Sequence, residues 1–378
     1  MLESRSDLRR SRRVMIKIGT GVLFEKEGLS RNRLKVLARQ AAALRGEGRE
    51  VLLVSSGAVG VGRKKLGLTE RPKTLLLKQA CAAVGQACLM TAWEKALADE
   101  GLLAAQVLIS ADDLADRTRF LNAKNTLRTL LDHGVVPVIN ENDTVAVEEL
   151  KFGDNDTLGA LACALAEGDL FINLTDLAGL YETDPRLDPA AALISRVERV
   201  TPEILGLAGG GGPLGTGGMY TKVRAAKRLA DLGVASVIAD GRGRDILRRL
   251  IDGREEGTFF RPRAEKRLAG KKNWLAFASR PKGRLTVDAG CALALTRRGK
   301  SLLPGGLTAV AGSFSAGATV EVADEKGRIL ALGLTNYSSA EAEKIRGRHS
   351  REIAGRLGYC HSDEIIHRDN LVLAEGLV

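Results

Sequence analysis

The first 240 residues alternate short apolar runs with longer segments of helical spacing. The runs are "VMIKI" (14–18), "VLLVS" (51–55), "AAQVLI" (104–109), "VVPVIN" (135–140), "LFINLT" (170–175) and "ASVIA" (235–239). A strand with one wet face alternates apolar and polar residues, whereas these are apolar over most of their length, as strands covered on both faces must be. Segments 31–46, 72–99, 117–133, 155–167 and 219–232 carry the helical spacing between them. This series predicts an α/β three-layer sandwich, αβα, with a mainly parallel central sheet.

The pattern breaks around "REEGTFFRPRAEKRLAGKKNW" (254–274), where Pro262 and a dense basic stretch mark a boundary. Beyond it come short glycine-punctuated strands, "GRLTVD", "SLLPGGLTAVAGSF", "GATVEVAD" and "GRILALGLTNYS". They predict a small β-rich, barrel-like domain of about 80 to 95 residues. A chain of 378 residues accommodates both parts, because single domains stop growing near about 250 to 300 residues. The divisions read as a basic N-terminal extension (1–13), an α/β domain (14–260), a basic linker (261–280), a β-rich domain (281–365) and a tail (366–378).

The net charge of +11 suggests nucleic acid until it is divided along the chain. Residues 1–13 carry +3, 14–241 carry −1, 242–280 carry +7 and 281–378 carry +2. The excess sits in a tail and a connector, where charge is more often solvated than a groove-binding surface. The five cysteines are scattered and contain no C-x-x-C pair, which argues against a disulfide framework and a zinc site. Cys360, His361 and His367 are the only cluster with metal-ligand chemistry worth weighing. No uninterrupted apolar stretch approaches the roughly 20 residues that span a bilayer, and the expectation is a cytoplasmic protein without membrane association.

In open parallel sheets ligands sit beyond the carboxyl ends of the strands, so the informative residues follow each apolar run. They are "KIGTG" (17–21), "SSGAVGVG" (55–62), "NENDTV" (140–145) and "TDLAGLYETDPR" (175–186). The glycines of "SSGAVGVG" and "GGGGPLGTGGMYTK" (209–222) expose backbone N–H groups where anions bind helix N-termini. Lys17 and Lys222, aimed at these two loops, suggest phosphate. Neither G-x-x-x-x-G-K-[ST] nor G-x-G-x-x-G is present, and no G-x-S-x-G elbow supports nucleophilic hydrolysis. His133, at a predicted helix end, suits a capping role.

"KFGDNDTLGALACALA" (151–166) places Asp154, Asn155 and Asp156 at the mouth of an apolar helix, where one cap would suffice. Asp154 is the expected cap. A transferred phosphoryl group needs fixed cations around it, and an acceptor already carrying negative charge needs no strong base. Asp156 is placed to hold Lys17 and Lys222, alone or helped by Asp154 or by bound magnesium. Asn155 and Asp143 are left to grip an acceptor, the amide donating to a carboxylate and the acid accepting from an ammonium.

"KIGTGVL", "SSGAVGVG", "FLNAKNTLRTLLDHGVVPVINENDTV", "KFGDNDTLGALA", "LTDLAGLYETDPR" and "GTGGMYTK" together resemble the glutamate 5-kinase branch of the amino acid kinase family. The C-terminal part resembles the PUA domain appended to its bacterial forms. The resemblance implies ATP-dependent phosphorylation of the γ-carboxylate of L-glutamate, the first step of proline biosynthesis. By motif, Lys17 and Lys222 would stabilise the transferring phosphoryl group and Asp156 would organise them. Ser56, Asp143 and Asn155 would bind glutamate. Lys17, Thr175, Asp176 and the segment Thr216, Gly217, Gly218, Met219 and Lys222 would hold ATP with Mg2+, with no metal ligand directly assignable. The resemblance further implies a homo-oligomer, commonly a tetramer, with proline as a feedback inhibitor.

Two other readings compete. One is a related kinase acting on acetylglutamate, aspartate or a nucleoside monophosphate; an acetylated nitrogen would leave Asp143 unpaired at roughly 1 to 3 kcal/mol, which favours glutamate over acetylglutamate. The other is RNA binding through the PUA domain, disfavoured by that segment's +2 charge and by its few aromatics, Phe314 and Tyr337 among them.

Overall fold

The computed structural model describes residues 1–145, 154–209, 218–263, 275 and 281–374. The chain divides into two units, Met1–Arg267 and Leu268–Val378.

The first unit is built on an eight-stranded sheet. Its strands are β1 (Arg13–Ile18), β4 (Glu50–Ser55), β5 (Ala104–Ile109), β6 (Val136–Glu141), β7 (Leu170–Thr175), β8 (Arg196–Val197), β9 (Ala235–Asp240) and β10 (Thr258–Phe260), with β2 (Phe24–Glu25) and β3 (Gly28–Leu29) forming a separate hairpin. The order is β5-β6-β4-β1-β7-β9-β10-β8, parallel except where β10 runs against β9. After β1 the chain moves outward through β4 to the edge at β5 and then crosses to the opposite side of β1 with β7. This reversal opens a crevice beyond the carboxyl ends of β1 and β7, where ligands of such sheets bind. The short strands β8 and β10 have no counterpart among the predicted runs, being too brief to show a period.

The connecting helices are α1 (Thr20–Leu23), α2 (Arg31–Gly46), α3 (Ala58–Lys65), α4 (Leu75–Ala98), α5 (Ala111–Ala115), α6 (Arg117–Asp132), α7 (Asn155–Leu165), α8 (Pro202–Leu207), α9 (Met219–Asp231) and α10 (Ile246–Ile251). Short polar residues cap several of them: Ser30 accepts from Arg33 N, Asp116 from Arg119 N, and Asp154 from Thr157 N at 2.7 Å, as expected of a cap, while α1, α3 and α9 begin at glycines. His133 ends α6, its Nδ1 lying 2.8 Å from the Thr129 carbonyl.

Both faces of the sheet are covered. Val14, Ile16, Ile18, Leu53, Ile172 and Leu174 join the core formed with α2 and α4 through Leu34, Leu37, Leu89 and Trp93. Met15, Leu52 and Phe171 point the other way and are equally buried. α7 is buried from Asp156 to Leu165. Gly159 allows it to lie close, since a Cβ there would sit 3.0 Å from the Phe171 ring and 3.4 Å from Lys17 Cβ. Gly85 serves α4 in the same way, because a Cβ would fall 1.8 Å from the Ala58 carbonyl oxygen of α3. That approach brings α4 against the loop that follows β4.

α4 is long and apolar enough, by length and composition, to cross a bilayer, which the search for uninterrupted runs did not register. One face, with Cys81, Ala82, Gly85, Leu89, Trp93, Ala96 and Leu97, is buried, while Leu76, Leu77 and Val84 are exposed.

Residues 1–13, set apart in the sequence as an extension, are packed into this unit. Leu8 is fully buried, and the Arg5 guanidinium donates to the carbonyls of Ser195, Glu256 and Gly257 at 2.6–2.7 Å. A basic residue thus closes backbone carbonyls near the sheet edge, a role that charge counting does not reveal.

The second unit contains a five-stranded sheet, β12-β11-β13-β14-β15, from β11 (Gly283–Val287), β12 (Leu307–Gly312), β13 (Thr319–Asp324), β14 (Ile329–Leu334) and β15 (Leu371–Leu373). A helix, Ala289–Arg298, lies between β11 and β12, and Leu285, Val287, Val320, Val322, Tyr337 and Ile366 form its core. The segment read as a tail, 366–378, supplies β15 and the bridge from Ile366 to Leu302. Of the linker 261–280, only 261–263 and 275 are among the described residues.

Candidate active site

The loops after β1, β4, β6 and β7 and the first turns of α7 and α9 surround a cavity of about 550 Å³. Lys17, Ser56, Asn140, Asp143, Asp154, Asn155, Asp156, Thr175, Asp176 and Lys222 line it. The topology thus gathers every described residue predicted for phosphoryl transfer, glutamate or ATP except Gly218 and Met219, which start α9 beside it. Thr216 and Gly217 lie outside the described residues.

At its centre Asp156 is 1% exposed and bound from four sides. Its Oδ1 accepts from Lys17 Nζ at 2.5 Å and Asn173 Nδ2 at 3.0 Å. Its Oδ2 accepts from Thr221 Oγ1 at 2.7 Å and Lys222 Nζ at 3.1 Å. Lys17 comes from β1, Asn173 from the adjacent position on β7, and Thr221 with Lys222 from α9. Burial alone would raise the Asp156 carboxyl, but the two ammonium groups outweigh it and hold it well below the usual carboxylate range. Burial lowers the Lys17 ammonium, against the pull of Asp156 and with a further lowering from Lys222. Asp154 is shifted upward by burial and by the nearby Asp156 charge.

Asp156 holds two ammonium groups side by side, and the carboxylate of Asp154 lies near enough to act on Lys17 as well. Two fixed ammonium groups at one point of the cavity offer a phosphate two charge-assisted donors. Lys222 Nζ also reaches the Gly218 carbonyl at 3.3 Å, which ties the cation to the glycine segment.

Asn155, at the start of α7, lines the cavity. Its amide nitrogen donates to Ser56 Oγ at 2.9 Å and Asn140 Oδ1 at 3.0 Å, and Asn140 Nδ2 in turn donates to Gln86 Oε1 of α4 at 2.8 Å. These bonds join the start of α7 to β6 and the loop after β4, with Asn155 lining the cavity beside Ser56. Asn140, Asn173 and Thr221 escaped the sequence reading. A buried asparagine within an apolar strand, as in "LFINLT", was the available signal.

A second cavity of about 160 Å³ follows along the chain from Asp176 and is lined by Leu177, Gly179, Leu180, Tyr181, Leu207 and Met219, among others. Thr183, Asp184 and Arg186 border it as well, so its lining is mixed.

A sequence profile of the amino acid kinase family matches residues 12–240, which hold all of this site and more than half of the chain. The chain belongs to the amino acid kinase family. Within the family its relatives include glutamate 5-kinases. That of Syntrophotalea carbinolica is 50% identical over 363 residues, spanning 96% of this chain and 97% of that protein. That of Citrifermentans bemidjiense is 52% identical over 368 residues, spanning 97% and 98%. That of Thermus thermophilus is 48% identical over 365 residues, spanning 97% and 98%. A PUA domain profile matches residues 283–357, within the second unit.

Among the described residues no group of three His, Cys, Asp or Glu side chains is arranged to hold a metal ion, and Cys360, His361 and His367 form none. The five cysteines are free.

Proposed function

We infer that this chain is a glutamate 5-kinase: it transfers the γ-phosphoryl group of ATP to the γ-carboxylate of L-glutamate, forming γ-glutamyl phosphate for proline biosynthesis. The observation that carries the reading is the pair of ammonium groups, Lys17 and Lys222, held on the one buried carboxylate of Asp156, within a chain about half identical to glutamate 5-kinases over nearly its whole length. In this reading Lys17 and Lys222 take up the charge that develops on the transferring group, and Asp156 with Asn173 and Thr221 fixes where they point. The γ-carboxylate attacks as the anion it already is, so no general base is needed. Thr175, Asp176 and the 216–222 segment hold ATP, with the small cavity beside Leu177, Tyr181 and Met219 suited to its base. Asp143 receives the substrate ammonium, and Ser56 and Asn155 hold the glutamate.

Magnesium fits as a companion of the nucleotide rather than as a resident ion. Both oxygens of Asp156 are taken by N–H and O–H donors, and magnesium is commonly held by one or two carboxylates together with substrate phosphates. Asp176, at the cavity rim, is the carboxylate best placed to meet such a complex.

The deciding assay measures ATP consumption with a panel of amino acids and traps acyl phosphate with hydroxylamine. Glutamate alone is expected to yield a hydroxamate. Comparable turnover of acetylglutamate, aspartate or a nucleoside monophosphate would contradict the assignment.

Asn155→Ala is expected to raise the glutamate KM on the order of tenfold while leaving the ATP KM near its original value. A raised ATP KM with unchanged glutamate KM would remove Asn155 from the acceptor side. A fragment ending at residue 263 keeps the entire described site and the core of the first unit, so it should retain turnover. Complete loss in a fragment with native circular dichroism would show that the second unit completes the site.

Oligomer formation as a tetramer and inhibition by proline extend the same reading from the resemblance. RNA recognition by the PUA domain draws less support, because Phe314 and Tyr337 both lie in its interior and offer no stacking surface.

A further inference from the structure

Three cations line the main cavity among the described residues: Lys17, Lys222 and Lys78. The first two are bound to Asp156 at the phosphoryl end. Lys78 comes from α4 and also borders a neighbouring groove together with Thr20, Val59 and Gly60, which neither Lys17 nor Lys222 lines. It therefore stands on the α3 side of the cavity, apart from the Asp156 cluster.

α4 delivers it there with the same stripe that supports the rest of the site. Lys78, Gln86 and Trp93 are eight and seven residues apart, so they fall on one helical face. Gln86 bonds to Asn140 at 2.8 Å, and Trp93 Nε1 donates to Ser55 Oγ at 2.8 Å. The close approach at Gly85 holds this face against α3. Lys78 thus has a fixed backbone position beside the first turn of α3, whose Ala58, Val59 and Gly60 line the same cavity.

We propose that Lys78 binds the α-carboxylate of the amino-acid substrate. The inference rests on the glutamate reading. That substrate carries three charges; its γ-carboxylate must approach Lys17 and Lys222, and its ammonium is matched by Asp143. The remaining charge is the α-carboxylate, and the remaining cavity-lining cation is Lys78. A charge-assisted contact there selects α-amino acids over amines with the same γ-carboxylate.

The test compares the full-length enzyme with Lys78→Met, which keeps the stem and removes the charge, and with Lys78→Arg. Each is assayed with L-glutamate, with its α-amide and with 4-aminobutyrate by hydroxamate formation. Lys78→Met is expected to raise the glutamate KM roughly tenfold to a hundredfold, with kcat at saturation and the ATP KM little changed, and Lys78→Arg should recover much of the loss. The decisive quantity is the penalty for replacing the α-carboxylate by the amide: large in the unaltered enzyme, it should nearly vanish in Lys78→Met. An equal penalty in both proteins, or an unchanged glutamate KM, overturns the assignment while leaving the kinase reading intact. Absence of glutamate turnover in the unaltered enzyme overturns both.

Discussion

Asp156→Asn is expected to lower the unfolding free energy by about 3–5 kcal/mol and to reduce turnover to near background. The substitution preserves shape but removes the anion that two buried ammonium groups share. Lys17 and Lys222, both largely buried, then face each other without the carboxylate they shared. Urea unfolding, checked against the hydroxamate assay, measures both effects. Native stability in the variant would mean that the lysines move to solvent, and the shared-acid arrangement would be wrong. The pH dependence has a definite sign. Because the native carboxyl of Asp156 is depressed, its stabilising contribution is present above the ordinary carboxylate value of about 4 and is lost as pH falls through the native value.

Lys17→Ala and Lys222→Ala should each reduce kcat about a hundredfold or more, equivalent to about 2.7 kcal/mol of transition-state stabilisation. Their effect on folding should be smaller than that of Asp156→Asn, since one remaining ammonium still matches one carboxylate. This contrast separates the two roles. If the lysines merely neutralised Asp156, their loss would appear in stability and leave turnover largely intact. If they carry the phosphoryl charge, loss appears in kcat, with the glutamate KM less affected. Near-normal turnover in either variant would exclude that lysine from the mechanism.

The two variants also test whether each ammonium group contacts the nucleotide. Lys→Ala removes one cation from the cavity, and weaker retention of ATP should accompany the lower kcat. Measurement of nucleotide binding alongside turnover distinguishes a missing phosphate contact from a displaced one.

Much of the α/β unit was legible in its sequence because each element carries a local signal. A strand covered on both faces reads as a mostly apolar run, as "LFINLT" does; "AAQVLI" is a strand with the bounds read from the chain, but at the sheet edge only its Ile109 is buried. A helix mouth must satisfy its first N–H groups, and Asp154 does so. The motif residues around the phosphoryl centre were visible because glycine loops, lysines and adjacent acids stand out against apolar neighbours. The two-residue strand β8 and the three-residue β10 were not legible, since so few residues cannot display a period.

Residue types and spacing by themselves therefore determined the layered sheet, the caps and the candidates for phosphoryl transfer. Only the tertiary structure decided which polar groups meet. Asn173 lies beside Lys17 because β1 and β7 pair in that register, and Gln86 reaches Asn140 because α4 packs closely at Gly85. The N-terminal thirteen residues show the same division: their charge suggested an extension, while Leu8 and Arg5 find partners far along the chain. Periodicity is a property of neighbours in sequence, whereas the pairing of buried charges depends on strand register and helix approach between segments that are distant until the chain folds.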